Sequence, residues 1–291
     1  MKNFLLVVIK QSIDSHRVKR LIEEIKKRNH NVELLCSSEA VIFTDEIQYK
    51  NKKIKANDYD FIYSIGNDEK NKYILYFFKN NSKARICPSN FNLDDKFNEG
   101  IFLSAIQVPT PKTILLNNQK IETIKNVSSK MEGFPLIIKK VSGSEGKYVS
   151  LVNSSEETLN FLEKLPHPSI SGKKNIIFQE YIKKSKGTDF RVFCVGKEIL
   201  GVIKRTSRNG DFRANISLGG RAEKFDLNPA MKKYSKKIIE SRNFLLVGID
   251  FIKNNNNYLV IEINNSANFQ SFEKTTGINV AGKIVDEFLK A

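Results

Sequence analysis

Three styles of apolar spacing succeed one another along the chain. Over the first ninety or so residues, short apolar runs alternate with stretches of helical period. "FLLVVIK", "NVELLC" and "DFIYSIG" read as strands, while "HRVKRLIEEIKKRNH" and "DEKNKYILYFFKNN" repeat apolar residues every three to four positions. Asp14 and Ser15 precede the first helix and either can cap it. This βαβ order predicts a small, mostly parallel sheet over 1–91. It carries no Gly-rich dinucleotide fingerprint.

A second style covers 92–174. "LDDKFNEGIFLSAI" reads as a helix, and "VPTPKTILL" as extended chain because Pro109 and Pro111 forbid helix. "FPLIIKK" is a buried strand. "VSGSEGKYVSLV" is a Gly/Ser loop leading into another strand, and so a hairpin. "SSEETLNFLEKL" has a Ser cap and acids in its first turn, as a helix start should. From 175 to 291 the strands lengthen. "NIIFQEYI", "TDFRVFCVG", "KEILGVIKRTS", "FLLVGIDFIK" and "NYLVIEIN" predict an antiparallel sheet, covered by helices at about 228–242 and 276–290. The fold class expected is therefore α/β followed by α+β, in three units of the lengths just given.

Composition narrows the field. A chain of 291 residues with 40% hydrophobic and 10% aromatic residues is globular, and no apolar run is long enough to span a membrane. "MKNFLLVVIK" has no small-residue cleavage site and reads as a first strand rather than a signal peptide. Cys36, Cys87 and Cys194 are scattered and lie in apolar surroundings, which points to buried thiols in a reducing, cytoplasmic setting. With only His16, His30 and His167 available and none near a partner, a His-based triad or metal site is not expected. The net charge of +16 is compatible with a merely solvated basic surface or with attraction to polyanions, and charge alone does not separate the two.

Against that basic background, two acids interrupt neighbouring apolar strands: Asp250 in "VGIDFI" and Glu262 in "VIEIN". If the strands form a hairpin across Asn254–Asn257, a three-residue loop sets Asp250 opposite Glu262, whereas a two- or four-residue loop sets them on opposite faces. Opposed acids repel unless a cation sits between them. Asn264 shares the face of Glu262, and this all-oxygen set suits Mg²⁺ or Mn²⁺. The plainer alternative is two solvated acids.

Other segments supply positive and small residues. Lys139 ends "FPLIIKK", and "SGSEG" follows, where Gly143 and Gly146 let backbone amides approach a polyphosphate. This is not a Walker loop. In "QEYIKKSKGTDFRVF", Tyr181 and Ile182 can form an apolar slot, while Asp189 and Arg191 share a strand face and read equally well as a surface pair. "KRTSRNGDFRANISLGG" gathers Arg205, Arg208, Arg213 and Asn215 in a glycine-containing loop suited to an anion.

In order, "PLIIKKVSGSEG", "FQEYIKKSKGTDFRVFCVG", "GDFRANISLGG", "VGIDFI", "VIEINNS" and "FEKTTGINVAGKI" resemble the ATP-grasp superfamily and, within it, the RimK-like α-L-glutamate ligases. The resemblance implies an ATP-grasp fold: an N-terminal pre-ATP-grasp domain, a central domain with a glycine-rich lid, and a C-terminal antiparallel domain. It implies ATP-binding roles for Lys96, Lys139, Ser142, Gly143, Ser144, Gly146, Gln179, Glu180, Tyr181, Ile182, Asp189, Arg213, Ala214 and Asn215. It places Mg²⁺ or Mn²⁺, as two ions, at Asp250, Glu262 and Asn264. The implied enzyme is a carboxylate–amine ligase working through an acyl phosphate, with Arg205 or Arg213 stabilising the oxyanion of the second step.

The implied partners are an amino acid, glutamate foremost, and an acceptor carboxylate such as an acidic protein or peptide tail. A coenzyme or metabolite acceptor is the alternative. A basic ribosome- or RNA-binding module with a degenerate ATP site is the reading from another class. No membrane partner is expected, nucleic acid enters only indirectly, and family members often form dimers or tetramers. Two positions depart from the family pattern: Tyr148 where glycine is usual, and Ala267 where proline is usual.

Overall fold

The first apolar run forms β1 (Asn3–Val8), buried at every position after the first. There follow α1 (His16–Lys27), β2 (Asn31–Cys36), the short strands β3 (Val41–Ile42), β4 (Ile47–Tyr49) and β5 (Lys52–Ile54), then β6 (Phe61–Ile65), α2 (Glu69–Asn81) and β7 (Arg85–Cys87). In this computed structural model, residues 1–66, 68–88, 95–116, 118–141, 143, 148–165, 175–208, 210–214 and 219–290 are described. The order β2-β1-β6-β7 makes a wholly parallel sheet. Of the two expected caps, Ser15 performs the role on α1, accepting from the Val18 amide.

The middle of the chain supplies α3 (Lys96–Ala105), β8 (Thr113–Leu115), α4 (Ile121–Lys130), β9 (Leu136–Lys140), β10 (Val149–Val152), α5 (Ser155–Glu163) and β11 (Ile176–Glu180). These strands pair as β10-β9-β11-β8. The sequence reading assigned "NIIFQEYI" to the last sheet. It pairs instead with β8 and β9, so the central sheet continues across residue 175.

The final sheet, β14-β13-β12-β15-β16, is antiparallel. It is built from β12 (Thr188–Val195), β13 (Glu198–Thr206), β14 (Arg221–Phe225), β15 (Leu246–Asn254) and β16 (Asn257–Asn264), with α6 (Pro229–Ser241) against it. The expected helix at 276–290 is two helices, α7 (Gln270–Thr276) and α8 (Val280–Leu289). Gly277, at φ 74°, ends α7 in the left-handed conformation, and the Asn279 side chain caps α8 by accepting from the Gly282 amide.

One buried core joins the first and last sheets. Phe4, Leu6 and Tyr63 pack with Phe193, Phe272 and Phe288. A polar seam reinforces it: Arg28 bonds Asp286 at 2.7 Å, Arg20 bonds Asn279 at 2.9 Å, and Glu273 bonds His16 at 2.9 Å. The central sheet has a separate core around Ile124, Leu136, Ile138 and Phe178.

Candidate functional site

The hairpin of β15 and β16 decides where the acids go. Asn254 pairs with Asn257, leaving a two-residue turn, one of the loop lengths the sequence left open. Such a turn alone would put the acids on opposite faces. A β-bulge lies between them: Phe251 pairs with Val260 and Asp250 with Glu262, so Ile261 is the extra residue. The bulge restores the parity that the turn removes, and Asp250 faces Glu262.

The two acids then differ in surroundings. Asp250 is 2% exposed and sits on a buried ladder of charge. Arg191, its register partner on β12, holds it by two bonds of 2.5 and 2.6 Å. Arg205, the register partner of Asp189, grips Asp189 at 2.5 and 2.7 Å and reaches Asp250 at 3.0 Å. Burial alone would raise the Asp250 carboxyl, but the Arg191 and Arg205 guanidiniums outweigh it and hold it below the usual range. Asn264 reaches the same carboxylate at 3.4 Å. Glu262 instead faces a cleft and meets the Lys96 ammonium at 3.4 Å.

This cleft lies between the central and final sheets, with about 880 Å³ of free space including its open mouth. Lys139 and Gln179 enter it from β9 and β11, joined at 2.7 Å. Burial pushes the Lys139 ammonium down to about 8; Glu262 pulls it up and Lys96 pushes it down again. Lys96, at the start of α3, also donates to the Gly143 carbonyl at 2.5 Å, so one lysine touches both the glycine loop and the acid strand. Glu180, Tyr181 and Ile182 line the joint between the sheets, and Asp189, Arg213 and Ala214 line the far wall. Arg213 is paired with Asp211 at 2.7 Å. Ser142, Ser144, Gly146 and Asn215 lie outside the described residues.

Two expectations change. Arg205, read from sequence as a cation for an oxyanion, is 4% exposed, does not line the cleft, and is engaged by two carboxylates. It orders the acids rather than meeting substrate. Asp189 and Arg191 are not a pair with each other; each bonds across to a neighbouring strand. Arg191 and Glu99 are further residues of the site that sequence reasoning missed. Glu99 accepts from the Ile263 amide at 3.2 Å and its charge acts on Lys139. The only sequence signal for Arg191 was its shared face with Asp189.

Among the described residues, no group of three or more His, Cys, Asp or Glu could hold a metal ion. A cation here would rest on Glu262, Asp250 and the Asn264 amide. All three donors are oxygen, as a hard divalent ion requires, but of the three only Glu262 lines the cleft, while Asp250 is buried with both oxygens held by Arg191 and Arg205. Among the described residues no helix is long and apolar enough to cross a membrane, and Cys36, Cys87 and Cys194 are free and buried.

Residues 93–288 match the family model described as the RimK-like ATP-grasp domain. The chain is similar to a probable alpha-L-glutamate ligase of Legionella pneumophila (strain Corby), 33% identical over 192 residues, covering 66% of this chain and 62% of that one. Probable alpha-L-glutamate ligase 1 of Shewanella sp. (strain ANA-3) is 34% identical over the same coverage. The match thus spans 62% of the length of these curated relatives. Among solved structures, a RimK domain ATP-grasp protein from Sphaerobacter thermophilus has a TM-score of 0.75 at 17% identity, covering 97% of this chain and 98% of that one. A Chryseobacterium gregarium RiPP-associated ATP-grasp ligase, in complex with ADP and a leader and core peptide, has a TM-score of 0.72 at 17% identity, covering 100% and 97%. At these identities the likeness is one of fold.

Proposed function

Because the chain belongs to the RimK-like ATP-grasp family, we propose that it is an ATP-dependent carboxylate–amine ligase. The observation that carries this reading is the convergence of Lys96, Lys139 and Glu262 on one cleft between two sheets. ATP lies in that cleft, its base against Tyr181 and Ile182 and its phosphates against the two lysines. Glu262, Asn264 and Asp250 would hold Mg²⁺ or Mn²⁺, whose charge offsets that of the triphosphate; the family resemblance implies two ions.

A substrate carboxylate attacks the γ-phosphorus, giving an acyl phosphate and ADP. The amine of the second substrate attacks the acyl carbon, and phosphate leaves. Lys139 supplies a buried positive charge beside the transferring group. Arg213 is the cation assigned to the oxyanion of the tetrahedral intermediate, while Arg191 and Arg205 hold Asp250 and Asp189 in place. No nucleophilic side chain is required.

Glutamate is the favoured amino acid, supported by the names of the curated relatives. A peptide or protein C-terminus is the favoured acceptor, supported by the peptide-bound neighbour and by the net charge of +16, which attracts acidic chains. The three buried thiols accord with a cytoplasmic site of action.

The test incubates the protein with ATP, MgCl₂, L-glutamate and a cell lysate. The expected result is ADP formation together with mass increments of one glutamate residue on a polypeptide. Increments on small molecules instead would move the acceptor to a metabolite. ADP formation that survives Glu262→Ala undiminished would count against the ligase.

A further inference from the structure

Three neighbouring strands set three side chains in a row across the central sheet. Thr113 on β8 stands opposite Gln179 on β11, and Ile177 of β11 stands opposite Lys139 on β9. Opposed residues share a face, as do residues two apart on one strand, so Thr113, Gln179 and Lys139 all point the same way. Lys139 and Gln179 line the cleft, and Thr113 does not. Gln179 is 7% exposed, and its Oε1 accepts from the Lys139 ammonium at 2.7 Å. Among the described residues this is the one hydrogen bond that the Lys139 side chain makes.

The far end of the row fixes which way the amide faces. An amide carries an oxygen on one side and an NH₂ on the other, nearly equal in size, so packing alone does not choose between them. Thr113 Oγ1 bonds the Pro111 carbonyl at 2.9 Å. A carbonyl only accepts, so the single hydroxyl proton is committed there. The hydroxyl is left with lone pairs, and it accepts from Gln179 Nε2 at 3.0 Å. With its NH₂ held by Thr113, Gln179 presents oxygen to Lys139. Turned the other way, it would set an N–H donor against an ammonium, and an oxygen against a hydroxyl with no proton to give.

The row ends on stiff backbone. Pro109 and Pro111 fix two of the φ angles leading into β8. The Pro109 carbonyl accepts from the Val260 amide at 2.8 Å, and the Lys112 carbonyl from the Glu180 amide at 2.9 Å. The Pro111 carbonyl thus belongs to a strap fastened to β11 on one side and, two residues before Glu262, to β16 on the other. A neutral amide also suits the task better than an acid. A carboxylate in its place would orient Lys139 but offset the charge that a triphosphate meets. Burial already pushes the Lys139 ammonium down to about 8, and an oxygen facing it favours the charged form.

We propose that Thr113 is a positioning residue for ATP: tied to the Pro111 carbonyl, it fixes the Gln179 amide, which in turn aims the Lys139 ammonium at the phosphates. The inference rests on the reading of the cleft as an ATP site. It concerns the grip on the nucleotide and is independent of which amino acid or acceptor is joined.

The test titrates MgATP into the full chain calorimetrically. Thr113→Val keeps the shape and suits a strand, but leaves the Gln179 NH₂ without its acceptor, so affinity should fall about 5- to 30-fold. Thr113→Ser restores the hydroxyl and should bind within about 2-fold of the wild type. Gln179→Glu separates orientation from packing. A carboxylate has oxygen on both sides and no wrong way round, so Thr113→Val on that background should cost less than about 2-fold more. An equal loss on both backgrounds would make Thr113 a packing residue and overturn the proposal. So would a Thr113→Val protein that binds MgATP as the wild type does. Should Thr113→Val not fold, Gln179→Met keeps the length without the amide, and a loss below about 5-fold there overturns the relay. ADP formation with L-glutamate and lysate, measured separately, bears on the ligase alone: its absence beside Thr113-dependent binding of MgATP retains the relay and overturns the ligase.

Discussion

Asp250→Asn separates two roles that the same carboxylate would hold. The substitution keeps shape and removes charge. In the folded protein it leaves Arg191 without its bidentate partner and Arg205 with one acid instead of two, all under a sheet where Asp250 is 2% exposed. Breaking a buried ion pair from one side costs roughly 3–5 kcal/mol, because the remaining charge stays buried. At about 2–4 °C per kcal/mol for a protein of this size class, the midpoint should fall by about 6–20 °C. The measurement is thermal unfolding in EDTA without nucleotide, so that no bound ion contributes. A carboxylate that served only a cation would leave this midpoint where it was. Pairing the change with Arg191→Met should recover part of the loss, since a buried pair removed from both sides is often near neutral. A shift below about 1 °C in EDTA would refute the ladder as a structural element.

Three further outcomes follow from the geometry. Lys139 titrates near 8 in the fold against 10.5 as its ordinary value, so between those pH values the unfolded chain binds more protons and stability rises with pH. Phosphate binding should restore its charged form, and calorimetry near pH 8 in buffers of different ionisation enthalpy should show proton uptake on ATP binding that Lys139→Met abolishes. A Cβ at Gly248 would lie 2.8 Å from the Ala267 Cβ and 3.2 Å from the Arg191 Cδ, so Gly248→Ala should cost about 1–3 kcal/mol by denaturant titration, with Ala267→Gly restoring part of it. Tyr148 has φ 56°, and Tyr148→Gly should raise stability by about 1 kcal/mol despite the lost stacking on Lys140; a lower midpoint would contradict the strain.

The elements that carry local signals were legible. Apolar runs and prolines mark β1, β9 and the extended chain before β8, and Ser15 and Ser154 stand where caps should. Register was not legible. Ile261 looks like any strand residue, yet as the extra residue of a bulge it decides which face Glu262 takes. The charge ladder was hidden for the same reason, since Arg191 meets Asp250, and Asp189 meets Arg205, only once three strands are aligned. "TTGIN" did contain a stop and a cap, Gly277 and Asn279, but the apolar period running through them reads as a single helix.

The shared core of the first and last sheets has a mechanical consequence. Those two sheets, fastened by Phe288, Phe272 and the Arg28–Asp286 contact, behave as a single anvil. The middle sheet, whose interior is its own, is the hammer. Lys139 belongs to the hammer and Glu262 to the anvil, so the cleft is walled by one lysine and one glutamate from separately packed bodies.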